Sequence, residues 1–163
     1  MKPIRLAANR FPRFYRGGQA IDELRGMAPE AAGAFLPEDW VGSTTTAFGS
    51  AGDGLTRLED GRTLRAAIGE DPEGFLGRRH ADAYGADPAL LVKLLHAGER
   101  LPVHLHPDRD FARRHLDCPW GKTEAWVVIG ADGPEPVVHL GFREPMDPGR
   151  LAELVSGQRV DAL

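Results

Sequence analysis

Along this chain the apolar positions come in short runs, broken by glycine, proline and aspartate before any long period can develop. Such runs read as strands at 3–8 (PIRLAA), 39–48 (DWVGSTTTAF), 54–59 (GLTRLE), 89–96 (ALLVKLLH), 101–107 (LPVHLHP), 122–130 (KTEAWVVIG) and 135–144 (EPVVHLGFRE), because extended-backbone formers stand between turn residues. The stretches 18–26 (GQAIDELRG) and 147–157 (DPGRLAELVSG) instead carry apolar residues at helical spacing and end at glycine. The second also opens on an aspartate cap followed by proline. Residues 107–117 (PDRDFARRHLD) read as a short helix or a turn-rich excursion, and 130–136 (GADGPEP) as a turn. The expected architecture is mainly β, a barrel or sandwich with helical additions in a single domain spanning 1–163. Strand signals stop at 144, so the expected sheet keeps open edges that call for a partner, such as a second copy of the chain in a homo-oligomer, or for further sequence.

Composition narrows the function classes. With 20 Gly and 13 Pro the chain is punctuated too often for a helical bundle, while 163 residues at 42% hydrophobic supply a genuine core. A net charge of −4 argues against a general binder of nucleic acid or anionic membrane, which would carry a basic excess. The single cysteine, Cys118, excludes an internal disulfide framework, and the richest apolar run, 88–98, is too short to span a bilayer. The expectation is a soluble, cytoplasmic protein.

The candidate chemistry lies in two segments. In an extended strand, side chains at i and i+2 share a face, so His104 and His106 project together, as do Lys122 and Glu124. Two imidazoles and a carboxylate supply the donors of a catalytic zinc site that keeps a position for water or substrate. The same donor types describe the facial triad of iron oxygenases, so residue types alone leave the metal open. Gly98 precedes His104 in a G-x5-H-x-H spacing that matches the beginning of a cupin motif, although the glutamate follows later than that motif has it. Lys122 would offer positive charge to a phosphate or a polarised oxygen. Trp126 continues the same face and reads as core. His80, His96, His115, Arg78, Arg79, Arg113 and Arg114 read as surface or packing residues.

Residues 88–115 and 121–130, with their H-x-H-P-D and G-K-T-E-x-W motifs, resemble the class I phosphomannose isomerases, also called mannose-6-phosphate isomerases. Weaker similarity runs through 14–24, 37–44 and 140–158, so the resemblance touches almost the whole chain and the front portion of a typical member. It implies a zinc-dependent cupin-type jelly roll that interconverts mannose 6-phosphate and fructose 6-phosphate, with a sugar phosphate as ligand. It makes His106 and Glu124 zinc ligands, puts His104 where the family has a glutamine ligand, and makes Lys122 the active-site lysine. Pro102 stands where the family has a phosphate-associated serine. The family's later histidine ligand and arginine would fall after Leu163, and His139 comes too early to match that ligand. The alternative expectation is a noncatalytic metal-containing cupin that binds a sugar or acts as a regulatory module.

Overall fold

The computed structural model describes residues 3–29 and 34–163. The chain divides into two compact units, Met1–Leu101 and Pro102–Leu163. In the first, strand β1 (Glu38–Val41) pairs antiparallel with β2 (Val92–Leu95), setting Glu38 opposite Leu95 and Val41 opposite Val92. Trp40 and Phe11 meet edge to face with centroids 4.9 Å apart and, with Ala47, form a small apolar core against which Leu91 packs. Asn9 stitches this region together. Its amide nitrogen donates to the carbonyls of Trp40 at 3.0 Å and Gly54 at 2.8 Å, and its backbone N–H donates to Asp39 Oδ1 at 2.9 Å. Gly54 holds φ at +96°, and a Cβ there would lie 2.8 Å from the Trp40 ring. Gly54→Ala is therefore expected to cost about 1–3 kcal/mol through overpacking, read as a lower urea midpoint. A Cβ there would also lie 2.9 Å from the Thr45 carbonyl oxygen, so an unchanged midpoint would show that both the backbone at 54 and the Trp40 ring yield to the added methyl.

The helices begin and end on recognisable residues. Helix α1 (Ala20–Arg25) stops at Gly26, whose φ of +64° closes the last turn in the left-handed region. Three helices follow between the strands: α2 (Leu64–Glu70), capped by Thr63; α3 (Pro72–Leu76), capped by Asp71 with proline in its first turn; and α4 (Arg78–Tyr84). None of these three is among the expected elements. Their signals are cap residues and an Ala66–Ala67 pair, not a long amphipathic period.

The first unit buries charge as well as apolar surface. Asp22 is wholly buried against Arg10, and Asp39 is wholly buried with Arg25 Nη2 at 2.7 Å. Glu38 accepts from the Tyr15 hydroxyl and, at 2.5 Å, from the Trp40 indole, with Arg13 and Lys93 nearby. Burial alone would raise the Glu38 pKa, but the Tyr15 and Trp40 hydrogen bonds and the two cations outweigh it, holding the carboxyl below its ordinary 4.5. Burial, then the hydrogen bond and charge of Glu38, push the Tyr15 phenol well above its ordinary 10.0. For Glu38, whose folded value is depressed, the stabilisation is present above 4.5 and disappears as pH falls through the folded value. For Tyr15, whose folded value is raised, it is present below 10.0 and disappears as pH rises through the folded value. Urea midpoints should therefore fall on both sides of a neutral plateau. Exposed Asp60, lowered by Arg62, shares the acid limb, so the deciding comparison is Glu38→Gln, which should flatten that limb; an acid limb as steep as the parent's contradicts the assignment.

The second unit corrects the expected fold class. Helix α5 (Arg109–His115) and helix α6 (Pro148–Ser156) form it with a closing 3-10 turn (Val160–Ala162), and no described residue after Leu95 lies in a strand. The described chain is thus not a mainly β cupin-type jelly roll: its sheet has two short strands, and its helices outnumber them. The expected strands 101–107, 122–130 and 135–144 form no ladder. A strand needs a hydrogen-bonding neighbour and, for a run apolar on both faces, a layer on each side. Here Val127, Val128, Ile129 and Leu140 are instead largely exposed. No helix among the described residues is long and apolar enough to cross a membrane.

Candidate functional site

The two motif segments meet within the second unit through backbone. Asp108 caps α5 by accepting from Phe111 N at 2.7 Å, which fixes the chain leaving His106 and Pro107. The Pro107 carbonyl then accepts from Lys122 N at 2.9 Å. Gly121 allows this approach, since a Cβ there would lie 2.8 Å from Arg109 N and 2.9 Å from the Pro107 carbonyl oxygen.

On this frame Glu124 sits between a histidine and a lysine. Its Oε2 lies 3.8 Å from His106 Nε2, its Oε1 lies 3.4 Å from Lys122 Nζ, and the Trp126 indole donates to Oε2 at 3.1 Å. His106 and Glu124 keep 26% and 22% of their side-chain surface exposed and Lys122 keeps 51%, while the His106 Nε2 atom facing Glu124 is itself buried. The His104 and His106 rings are 5.0 Å apart, as the i, i+2 spacing predicts. His104 Nδ1 is 2.8 Å from the Pro102 carbonyl, which can only accept. A proton on Nδ1 satisfies this contact, and in the neutral ring that leaves Nε2 as the acceptor, the tautomer a metal ligand uses. Pro102 lacks a hydroxyl, yet its carbonyl orients the neighbouring imidazole.

The donor set fits zinc as a pair. Ligand bonds of about 2.0–2.1 Å place two donors across a tetrahedral centre about 3.4 Å apart, slightly less than the His106–Glu124 separation of 3.8 Å. Among the described residues, no three His, Cys, Asp or Glu side chains are grouped closely enough to hold one ion, so His104 stands beside the pair without completing it. His139 is exposed and belongs to no such group. Gly98 has a packing explanation: its N–H donates to the Arg16 carbonyl at 2.8 Å, and a Cβ there would lie 2.6 Å from the Gly17 oxygen. A depression of about 600 Å³ over α4 is lined by Arg78, Arg79, Asp82 and Ala83, away from these donors in sequence, with Arg78 tied to Glu73 at 2.7 Å. Sequence reasoning overlooked Trp126 as a hydrogen-bond donor and Gly121 as the contact point. The i, i+2 step from Glu124 pointed to the first; nothing local pointed to the second.

No protein-family model and no solved structure matches the chain. Curated relatives do so locally. A probable mannose-6-phosphate isomerase of Bacillus subtilis is 52% identical over 40 residues, covering 24% of this chain and 13% of that protein. A mannose-6-phosphate isomerase of Streptococcus mutans is 38% identical over 65 residues, covering 37% of this chain and 20% of that protein. The matched stretches thus span a fifth or less of either relative, and the chain is similar to mannose-6-phosphate isomerases over part of its length.

Proposed function

We propose that this chain carries the metal-binding part of a zinc-dependent sugar-phosphate isomerase that interconverts mannose 6-phosphate and fructose 6-phosphate. The observation that carries the reading is the Glu124 carboxylate lying between His106 and Lys122; local similarity to mannose-6-phosphate isomerases supports it. His106 and Glu124 would hold the ion, with His104 offering its Nε2 as a third donor. Zinc, when bound, supplies a Lewis acid that orders sugar oxygens and stabilises negative charge on them. The Lys122 ammonium presents hydrogen-bond donors to a sugar oxygen and stabilises the charge that develops there as a proton moves between C2 and C1. With Pro102 in place of a serine, the phosphate loses one hydroxyl contact.

The test is a coupled assay of mannose 6-phosphate turnover with zinc supplied. Turnover that falls at least about 100-fold in Lys122→Ala, the loss expected of one group stabilising transition-state charge, supports the reading, and no turnover by the parent sinks it. The lack of a three-donor group among the described residues favours a second reading, a noncatalytic module that binds a sugar. Sugar-phosphate binding without turnover, weakened but not lost in Lys122→Ala, would select it.

A further inference from the structure

We propose that Trp126 is a positioning residue that fixes the orientation of the Glu124 carboxylate. This rests on the reading of Glu124 as a zinc ligand. An indole N–H can donate but has no lone pair with which to accept or to bind a metal. Its 3.1 Å bond to Oε2 can therefore serve only to orient the acceptor. Lys122 Nζ approaches the opposite oxygen at 3.4 Å, so the two donors hold the carboxylate from both ends. Rotation about the last side-chain bond would break one contact or the other. With the plane fixed this way, Oε2 is the oxygen turned toward His106 Nε2.

The chain builds the same clamp a second time. Trp40, two residues after Glu38, donates to one carboxylate oxygen at 2.5 Å, and Lys93 Nζ approaches the other at 3.6 Å. There the Tyr15 hydroxyl also binds the carboxylate, and the Glu38 side chain is only 4% exposed. At Glu124 no hydroxyl joins the lysine on Oε1; a histidine instead faces Oε2, the oxygen held by the tryptophan, and 22% of the side chain meets solvent. The clamp is thus structural where it is sealed by a hydroxyl, and is turned toward ligand binding where it faces an imidazole.

The experiment uses the whole chain labelled with ¹⁵N. The Trp126 indole N–H resonance is identified by its absence in Trp126→Phe and followed in Glu124→Ala, and zinc chloride is titrated into the parent and Trp126→Phe. The expected result is a clear shift of the indole resonance in Glu124→Ala and about tenfold weaker zinc binding in Trp126→Phe, the loss typical of removing a ligand's hydrogen-bond partner. The Trp40 indole resonance should stay in place in both variants, which separates a local effect from misfolding. An unmoved Trp126 resonance, or zinc binding within twofold of the parent, overturns the positioning role while leaving Glu124 as a ligand. A parent that binds no zinc overturns both.

Discussion

Glu124→Gln should weaken zinc binding by more than about 100-fold, beyond the range for losing a mere neighbour of a ligand, and abolish measurable isomerase turnover. The substitution keeps the shape of the side chain and removes its charge. An amide oxygen is a poorer partner for a divalent ion, and the positive groups around it, Lys122 and a metal, lose the anion that balances them. Stability gives the internal control. The Lys122–Glu124 pair is partly exposed at 3.4 Å, and such pairs contribute about 0–1 kcal/mol, so the urea midpoint should barely move. Glu135→Gln, at an exposed position, should change neither property. Isothermal titration of zinc into the three proteins decides the matter. Binding by Glu124→Gln within threefold of the parent would remove Glu124 from the ligand set, and a collapse of stability would show the carboxylate to be structural, as Glu38 is.

What the sequence made legible follows from how local each signal is. Helices α1 and α6 were expected because their boundaries lie within their own residues: Gly26 closes one, and Asp147 and Pro148 open the other. The β1–β2 pairing overlaps two expected strands, 39–48 and 89–96, though β1 begins one residue earlier at Glu38 and both are shorter in the structure. Helices α2 to α4 were missed because their apolar stripes are too short to show a period, although Thr63 and Asp71 were readable as caps. The expected strands in 122–144 depended on a non-local condition, a paired and doubly covered sheet, that the described chain does not meet. In the candidate site, Lys122 and Glu124 are near each other, as are His104 and His106, although neither segment forms the strand from which the i, i+2 argument starts. That spacing could not specify how the two segments approach each other, which depends on Gly121 lying against the Pro107–Arg109 backbone.

Asp39→Ala is expected to lose about 3–5 kcal/mol of stability, the range for removing one partner of a buried ion pair. Asp39 is wholly buried, and its Oδ2 accepts from Arg25 Nε at 2.8 Å while its Oδ1 accepts from Asn9 N at 2.9 Å. Alanine would leave a guanidinium and a backbone N–H without their acceptor. The same Asn9 ties the Trp40 and Gly54 carbonyls together, so the damage would spread to β1 and the Trp40 core. Arg25 keeps 23% of its side chain exposed and can turn partly to water, which places the expected loss toward the lower end. Asp39→Asn retains an acceptor for Asn9 but loses the charge and should fall between parent and alanine. The contrast is Asp60→Ala, which removes an exposed partner of Arg62 at 2.7 Å and should leave the urea midpoint close to the parent's, because water screens such a pair. Urea unfolding of all four proteins, followed by tryptophan fluorescence, tests this order. If Asp39→Ala and Asp60→Ala are equally mild, the buried Arg25–Asp39 pair does not hold the first unit together, and the Phe11–Trp40 core must do so largely without it.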